Sequence, residues 1–254
     1  MSGRGFPLWL DHASVVVPDL TTAVEELDGR LGLRATVSPE APDRHSRVYL
    51  DRSYLEVSVH ASGGGWEATL FFLRFDDPVS LRAHLDAAGI SYRFGEYEGV
   101  DGTWDDVEID IVPSTLSTLI RRTTPTDVAL DWPPALGEPH RCGARWLVAV
   151  HVEVPSLDEA VEGYRRLLGA EDVAWPDAHG LGHGAARVPL AAGELVLREG
   201  GREQIVGIVL GVPSLAETRA ELGEALGPVE EDVAWVDPNE VFGLRLGFTE
   251  RQRP

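Results

Sequence analysis

Residues 9–33 read WLDHASVVVPDLTTAVEELDGRLGL, and the outline of this stretch recurs three more times along the 254-residue chain. Its first half suits a half-buried strand: Ala13, Val15 and Val17 alternate onto one face, while His12, Ser14 and Val16 fall on the other. Pro18 and Asp19 break the strand. Asp19 or Thr21 can cap a following helix whose Leu20, Val24, Leu27 and Leu31 recur at helical spacing, and Gly32 ends it. One strand face is apolar, and the other carries the polar chemistry.

The outline returns as RWLVAVHVEVPSLDEAVEGYRRLLGA at residues 145–170, and more faintly as TLFFLRFDDPVSLRAHLDAAGI and EQIVGIVLGVPSLAETRAELGEALG. The strand-ending positions Pro18, Asp76, Pro155 and Pro213 lie 58, 79 and 58 residues apart, so the middle interval carries 21 extra residues. Residues 123–143, TTPTDVALDWPPALGEPHRCG, account for them and have the Pro- and Gly-rich composition of a linker. The spacing predicts four strand-helix-strand-strand-strand modules in two domains, 1–122 and 144–254, joined by 123–143. A single module cannot bury both its faces. Paired modules are expected to give an α+β architecture, each pair a concave mixed sheet with helices outside.

Within the first module, a strand from His45 leads through Asp51 and Arg52 to SYLEVSVH, where Tyr54, Glu56, Ser58 and His60 share one face and Leu55, Val57 and Val59 the other. The Gly63-Gly64-Gly65 run then joins the second module, with strands near 69–75, 92–97, 107–111 and 116–121 and a helix over 78–88. The third module predicts a strand over 146–154, a helix over 157–168 and strands near 186–190 and 194–198. The fourth runs from Ile205 to Phe248.

Composition excludes several classes of function. The net charge of −20 repels phosphate backbones and anionic membrane surfaces, so no nucleic-acid partner is expected. No apolar run approaches the ~20 residues that span a bilayer, and the opening MSGRGFPLWLDH lacks the marks of a secretory signal, so a cytoplasmic protein without a membrane partner is expected. The single Cys142 rules out an intramolecular disulfide and any multi-cysteine metal site. GLGHGA follows no strand and opens no helix, so no nucleotide cofactor is expected, and no P-loop, nucleophile elbow or HExxH occurs.

Taken together, LDHASVVVPDL, SYLEV, LIRRTT, HRCGARWLVAVHVEVPSL and YRRLLG resemble the vicinal oxygen chelate superfamily, which contains glyoxalase I, bleomycin resistance proteins and extradiol dioxygenases. The resemblance covers nearly the whole chain and is closest to the glyoxalase-like branch. It implies a divalent metal, Fe, Mn, Ni or Zn, held by His or Gln on the first strand and Glu on the last strand of paired modules. His12 and Glu56 match those positions, and imidazole and carboxylate donors with open coordination sites would let vicinal oxygens of a substrate chelate. In the other modules the matching positions are Leu70, Ala149, Val196, Gly207 and Gly247, which carry no donor atom.

Each candidate has a plainer reading beside it. His12 is either a ligand or a hydrogen-bonded, half-buried histidine; Glu56, flanked by Leu55 and Val57, is costly there unless a cavity, a partner or a metal offsets its burial, and it is also the candidate catalytic residue. His45 is the candidate third ligand or a loop histidine, and His60, about 13 Å along the strand from Glu56, is out of reach of the same ion. Glu108 and Asp110 either add an oxygen ligand or line a solvated face. His179 and His183 sit among glycines, and His151 lies two residues beyond the ligand register. Ser14, Tyr54, Trp104 and Arg121 are the candidate substrate contacts; Tyr54, Trp66 and Trp104 would otherwise belong to the core, and Arg121 and Arg122 would otherwise end a strand. Two readings follow. The first is metal-dependent isomerase, lyase or dioxygenase chemistry on a small molecule, and the second is metal-free binding or sequestration of one; a homodimer is compatible with either.

Overall fold

The computed structural model describes residues 6–37, 44–59, 66–99, 102–111, 117–122, 139–169, 184–241 and 243–251. The Gly63–Gly65 run, His60, the stretch holding His179 and His183, and residues 123–138 of the expected linker lie outside them. The first half holds β1 (Trp9–Val17), α1 (Leu20–Leu31), β2 (Thr36–Val37), β3 (His45–Tyr49), β4 (Tyr54–Val59), β5 (Glu67–Arg74), α2 (Pro78–Ala88), β6 (Tyr92–Gly99), β7 (Gly102–Ile109) and β8 (Ser117–Arg122). The second half holds β9 (Trp146–Val154), α3 (Leu157–Leu168), β10 (Ala185–Pro189), β11 (Glu194–Glu199), β12 (Gln204–Gly211), α4 (Leu215–Leu222), β13 (Leu226–Glu230), β14 (Val233–Val236) and β15 (Leu246–Thr249).

The four α-helices among the described residues start by one device. Asp19, Asp77, Ser156 and Ser214 sit in extended backbone, and the side chain of each accepts a backbone N–H of the first turn, from Thr22, Val79, Glu159 and Glu217. Gly32, Gly89 and Gly169 then close α1, α2 and α3 in the left-handed conformation that a side chain would strain. Asp19, rather than Thr21, is the cap of α1.

The strands form two mixed sheets. The first has eight strands in the order β2-β3-β4-β1-β5-β8-β7-β6, and the second has seven in the order β10-β11-β9-β12-β15-β14-β13. In each, the two module-opening strands are antiparallel neighbours (β1 with β5, β9 with β12), and each is flanked by the parallel closing strand of its own module (β4, β8, β11, β15). Ala13, Val15, Val17, Phe71 and Leu73 are buried in one core with Leu20, Leu27, Leu31, Leu81 and Leu85 of α1 and α2. Among the described residues no helix packs on the opposite face of the sheet. Expected and observed elements differ most at β7, which begins five residues earlier than its apolar pattern suggests. Thr103, Trp104 and Asp105 pair with Glu98, Tyr97 and Glu96 of β6, a hairpin too polar to announce itself by alternation.

The sheets are stitched together directly. Leu10 N–H donates to Ala192 O at 2.8 Å, Ala191 N–H to Leu8 O at 2.7 Å, and Leu147 N–H to Ser53 Oγ at 3.1 Å. Within residues 139–143, the end of the stretch whose composition suits a linker, His140 and Cys142 are packed inward. Cys142 is buried, and burial pushes its thiol up to about 11. His140 accepts Arg34 N–H at Nδ1 (3.0 Å), and its Nε2–H donates to Tyr49 O (2.7 Å). Removing that ring strands two backbone groups, so His140→Ala is expected to cost about 2 kcal/mol of unfolding free energy in urea titration. A loss within experimental error would mean that water replaces both bonds.

Among the described residues no helix is long and apolar enough to cross a membrane.

Candidate functional site

On the helix-free face of the first sheet, cross-strand register decides which side chains meet. His12 stands opposite Tyr54 on β4 and Phe72 on β5, and Ser14 stands opposite Glu56 and Leu70. On β3, Tyr49 lies across from Tyr54, Arg47 across from Glu56, and His45 across from Ser58. The His12 ring is consequently sandwiched, 4.2 Å from the Tyr54 ring and 4.0 Å from the Phe72 ring, with interplanar angles of 12° and 14°.

Both imidazole nitrogens of His12 already have protein partners. The pairing of β1 with β5 shifts register between Leu10 and His12, and at that irregularity Asp11 brings Oδ2 to 2.9 Å from Nδ1 of His12. The Tyr54 hydroxyl lies 3.4 Å from Nε2. The tautomer that donates from Nδ1 to Asp11 and accepts at Nε2 from Tyr54 satisfies both contacts. Asp11 is in turn 3.8 Å from the Arg74 guanidinium, which offsets its burial. His12 and Tyr54 are 4% and 5% exposed, so they form the floor of the face rather than its accessible surface.

The accessible polar groups include Glu56, His45 and Arg47, whose guanidinium lies 5.3 Å from the Tyr54 ring centroid. Glu56 Oε1 accepts Ser14 Oγ–H at 3.4 Å and lies 3.9 Å from Nδ1 of His45. A divalent ion bonds imidazole nitrogen at about 2.0–2.1 Å through a free lone pair. Glu56 and His45 can offer donors to one ion, whereas His12 could join only by giving up the Tyr54 hydroxyl. Among the described residues no group of three or more His, Cys, Asp or Glu is arranged to hold a metal. The donor set among the described residues therefore does not fit the family's metal in this conformation.

The remaining sequence candidates disperse. Arg121 pairs with Asp105 on the face shared with buried Leu119 and Val107, the helix side of the sheet, so it is directed away from His12 and Glu56. Trp104 lies on β7, three strands from β1 and so about 14 Å across the sheet. Glu108 is exposed and bonded to Arg93, with Nε 3.1 Å from Oε2. A groove of about 600 Å³ beside α2 is lined by Trp9, Asp77, Ser80 and His84, but its polar groups serve the fold. Asp77 caps α2, Ser80 bonds Asp77, and His84 reaches Leu167 O at 2.6 Å.

In the second sheet, Ala149, Val196, Gly207 and Gly247 occupy the ligand-register positions, and the space their missing side chains leave is in use. A Cβ on Gly207 would stand 3.1 Å from the Trp235 ring, and one on Gly247 2.8 Å from it. His151 takes the place equivalent to Ser14, edge-on to Trp235 at 5.2 Å. Sequence reading passed over Asp11 and Phe72 because only cross-strand pairing gives them their roles. Arg187 and Arg198 were passed over as well, although a cation on an otherwise apolar strand is a signal the sequence carries.

Two mixed sheets, each built from a pair of modules with antiparallel opening strands, define a vicinal oxygen chelate fold. The chain belongs to the Glyoxalase-like domain family, whose sequence profile matches residues 10–168. No curated protein sequence matches it. A variant of homoprotocatechuate 2,3-dioxygenase from B. fuscum in complex with HPCA superposes with a TM-score of 0.69 at 12% identity, over 99% of this chain and 73% of the dioxygenase. The Arthrobacter globiformis homoprotocatechuate 2,3-dioxygenase gives 0.67 at 15% identity, over 100% and 83%. A hypothetical protein from Staphylococcus aureus gives 0.63 at 10% identity, over 95% and 98%. At these identities the likeness is one of fold.

Proposed function

We propose that this protein binds a small planar molecule with adjacent oxygens on the helix-free face of its first sheet, without requiring a resident metal. The observation that carries this reading is the occupied state of His12: stacked between Tyr54 and Phe72 and bonded at both nitrogens, it shapes a rigid aromatic floor. Half-buried Phe72 and Tyr49 supply ring surface, and Glu56, backed by Ser14, supplies an acceptor for paired hydroxyls. A carboxylate so placed also suits a general base, the catalytic role open to Glu56. The expected unit is the first domain, 1–122, with 144–254 as a second domain across the linker 123–143.

The metal-dependent reading draws support from the 3.9 Å approach of His45 to Glu56, and one experiment separates the two. Catechol, which has vicinal hydroxyls and no carboxylate, is titrated calorimetrically into untagged protein in EDTA and again with Mn(II) or Fe(II). Saturable binding in EDTA is expected, weakened about tenfold or more by Glu56→Gln through loss of a charge-assisted hydrogen bond, with little change in unfolding midpoint. Binding only with added metal, lost in both Glu56→Gln and His45→Ala, would establish the metal site instead.

A further inference from the structure

We propose that the face of the second sheet that carries His151 binds a small oxyanion, a carboxylate or phosphate group, between the guanidinium groups of Arg187, Arg198 and Arg245. This site is separate from the one on the first sheet. It is built by register: on one face, Arg187 of β10 stands across from Val196 of β11, Val196 across from His151 of β9, and Arg198 two residues further along β11. Arg245 and Arg251 flank β15 and reach the same cavity, whose volume is about 130 Å³.

The charge balance of this cavity is inverted relative to the molecule. The chain carries a net −20, and its 22 basic residues are all arginine, yet four of them line one small cavity against three carboxylates, Glu194, Glu230 and Glu231. Pairing leaves part of the positive charge unmet. Arg187 and Arg251 share Glu194, at 3.0 and 2.6 Å. Arg198 has only a loose approach to Glu231, at 3.7 Å. Glu153 stands across from Arg198, but its carboxylate bonds Gln204. Among the described residues no carboxylate pairs with Arg245, which lies over the Trp235 ring at 4.3 Å. The Nε atoms of Arg187 and Arg198 are buried without a hydrogen-bond partner.

Close guanidinium groups repel one another where water is partly excluded, and unmet buried N–H donors are costly. An anion held by two forks relieves both at once, which is why arginine serves carboxylate and phosphate recognition. His151 senses this field: burial first, then Arg198, Arg245, Arg187 and Arg251, push its pKa down to about 3, so it faces the cavity as a neutral ring. Val196 and Val233 line the cavity between the arginines, and Trp235, seated over Gly207 and Gly247, forms its apolar wall.

The test is calorimetric titration with inorganic phosphate and, separately, sodium acetate, at an ionic strength fixed with sodium chloride. Saturable binding of at least one probe is expected, and which one binds assigns the ligand as phosphate-bearing or carboxylate-bearing. Arg198→Gln and Arg245→Gln should each weaken it about tenfold or more. Arg82→Gln, on the exposed side of α2, and Glu56→Gln on the first sheet should leave it unchanged. Arg245 is exposed, so its variant tests the site without threatening the fold. No saturable heat with either probe, or undiminished binding in the Arg198 and Arg245 variants, would overturn the proposal. Neither outcome bears on catechol binding at the first sheet.

Discussion

Phe71→Ala is expected to destabilise the protein by about 3–5 kcal/mol, whereas Phe72→Ala, one residue along the same strand, should cost far less and act on the site. Phe71 has no exposed surface and joins Ala13, Leu73 and the α2 leucines in a core that runs without a break into the second sheet. Truncation there removes the transfer free energy of a whole ring and leaves a cavity that close-packed neighbours on both sides cannot fill. Phe72 faces the opposite way and is only half-buried. Losing it removes one side of the sandwich around His12 and should weaken catechol binding more than it lowers the unfolding midpoint. Urea unfolding of the two variants side by side decides the matter; equal losses would mean that the faces of β5 are not divided between core and site as described.

The second large effect is a loss of stability in mild acid that traces to His151. Its ordinary pKa of 6.5 is lowered to about 3 in the folded protein, first by burial and then by the surrounding arginines. Because the folded-state value is depressed, the unfolded chain takes up the proton first. The contribution of the neutral ring is therefore fully present above pH 6.5 and is lost as pH falls from 6.5 towards 3. From the gap between those values the loss is about 3 kcal/mol by pH 4.5 and about 4 kcal/mol by pH 3. In His151→Gln, which cannot take up the proton, stability should change less steeply across this window than in the wild type. Parallel acid limbs in the two proteins would assign the loss to other groups.

Much of the architecture was legible in the sequence because its determinants are local. A strand shows itself by alternation over eight residues and a helix by recurrence over twelve, and the capping Asp and Ser and terminal Gly residues mark boundaries within one turn. That is why helices 78–88 and 157–168 were placed to the residue, and why His12, Ser14, Tyr54 and Glu56 could be set on the polar faces of their strands. β7 escaped because a polar hairpin is held by pairing with β6 rather than by a buried face.

The sequence by itself determined four strand-helix modules, the polar identity of one face of β1 and β4, and the lack of donor atoms at Ala149, Val196, Gly207 and Gly247. Only the tertiary structure decided who stands beside whom. Register between strands far apart in the chain closed Tyr54 and Phe72 over His12, sent Arg121 to the helix side and brought His45 up to Glu56. The same physics gathered Arg187, Arg198, Arg245 and Arg251 around His151. Periodicity assigns a side chain to a face, but its neighbours on that face come from other strands, and their charge and burial set what it does.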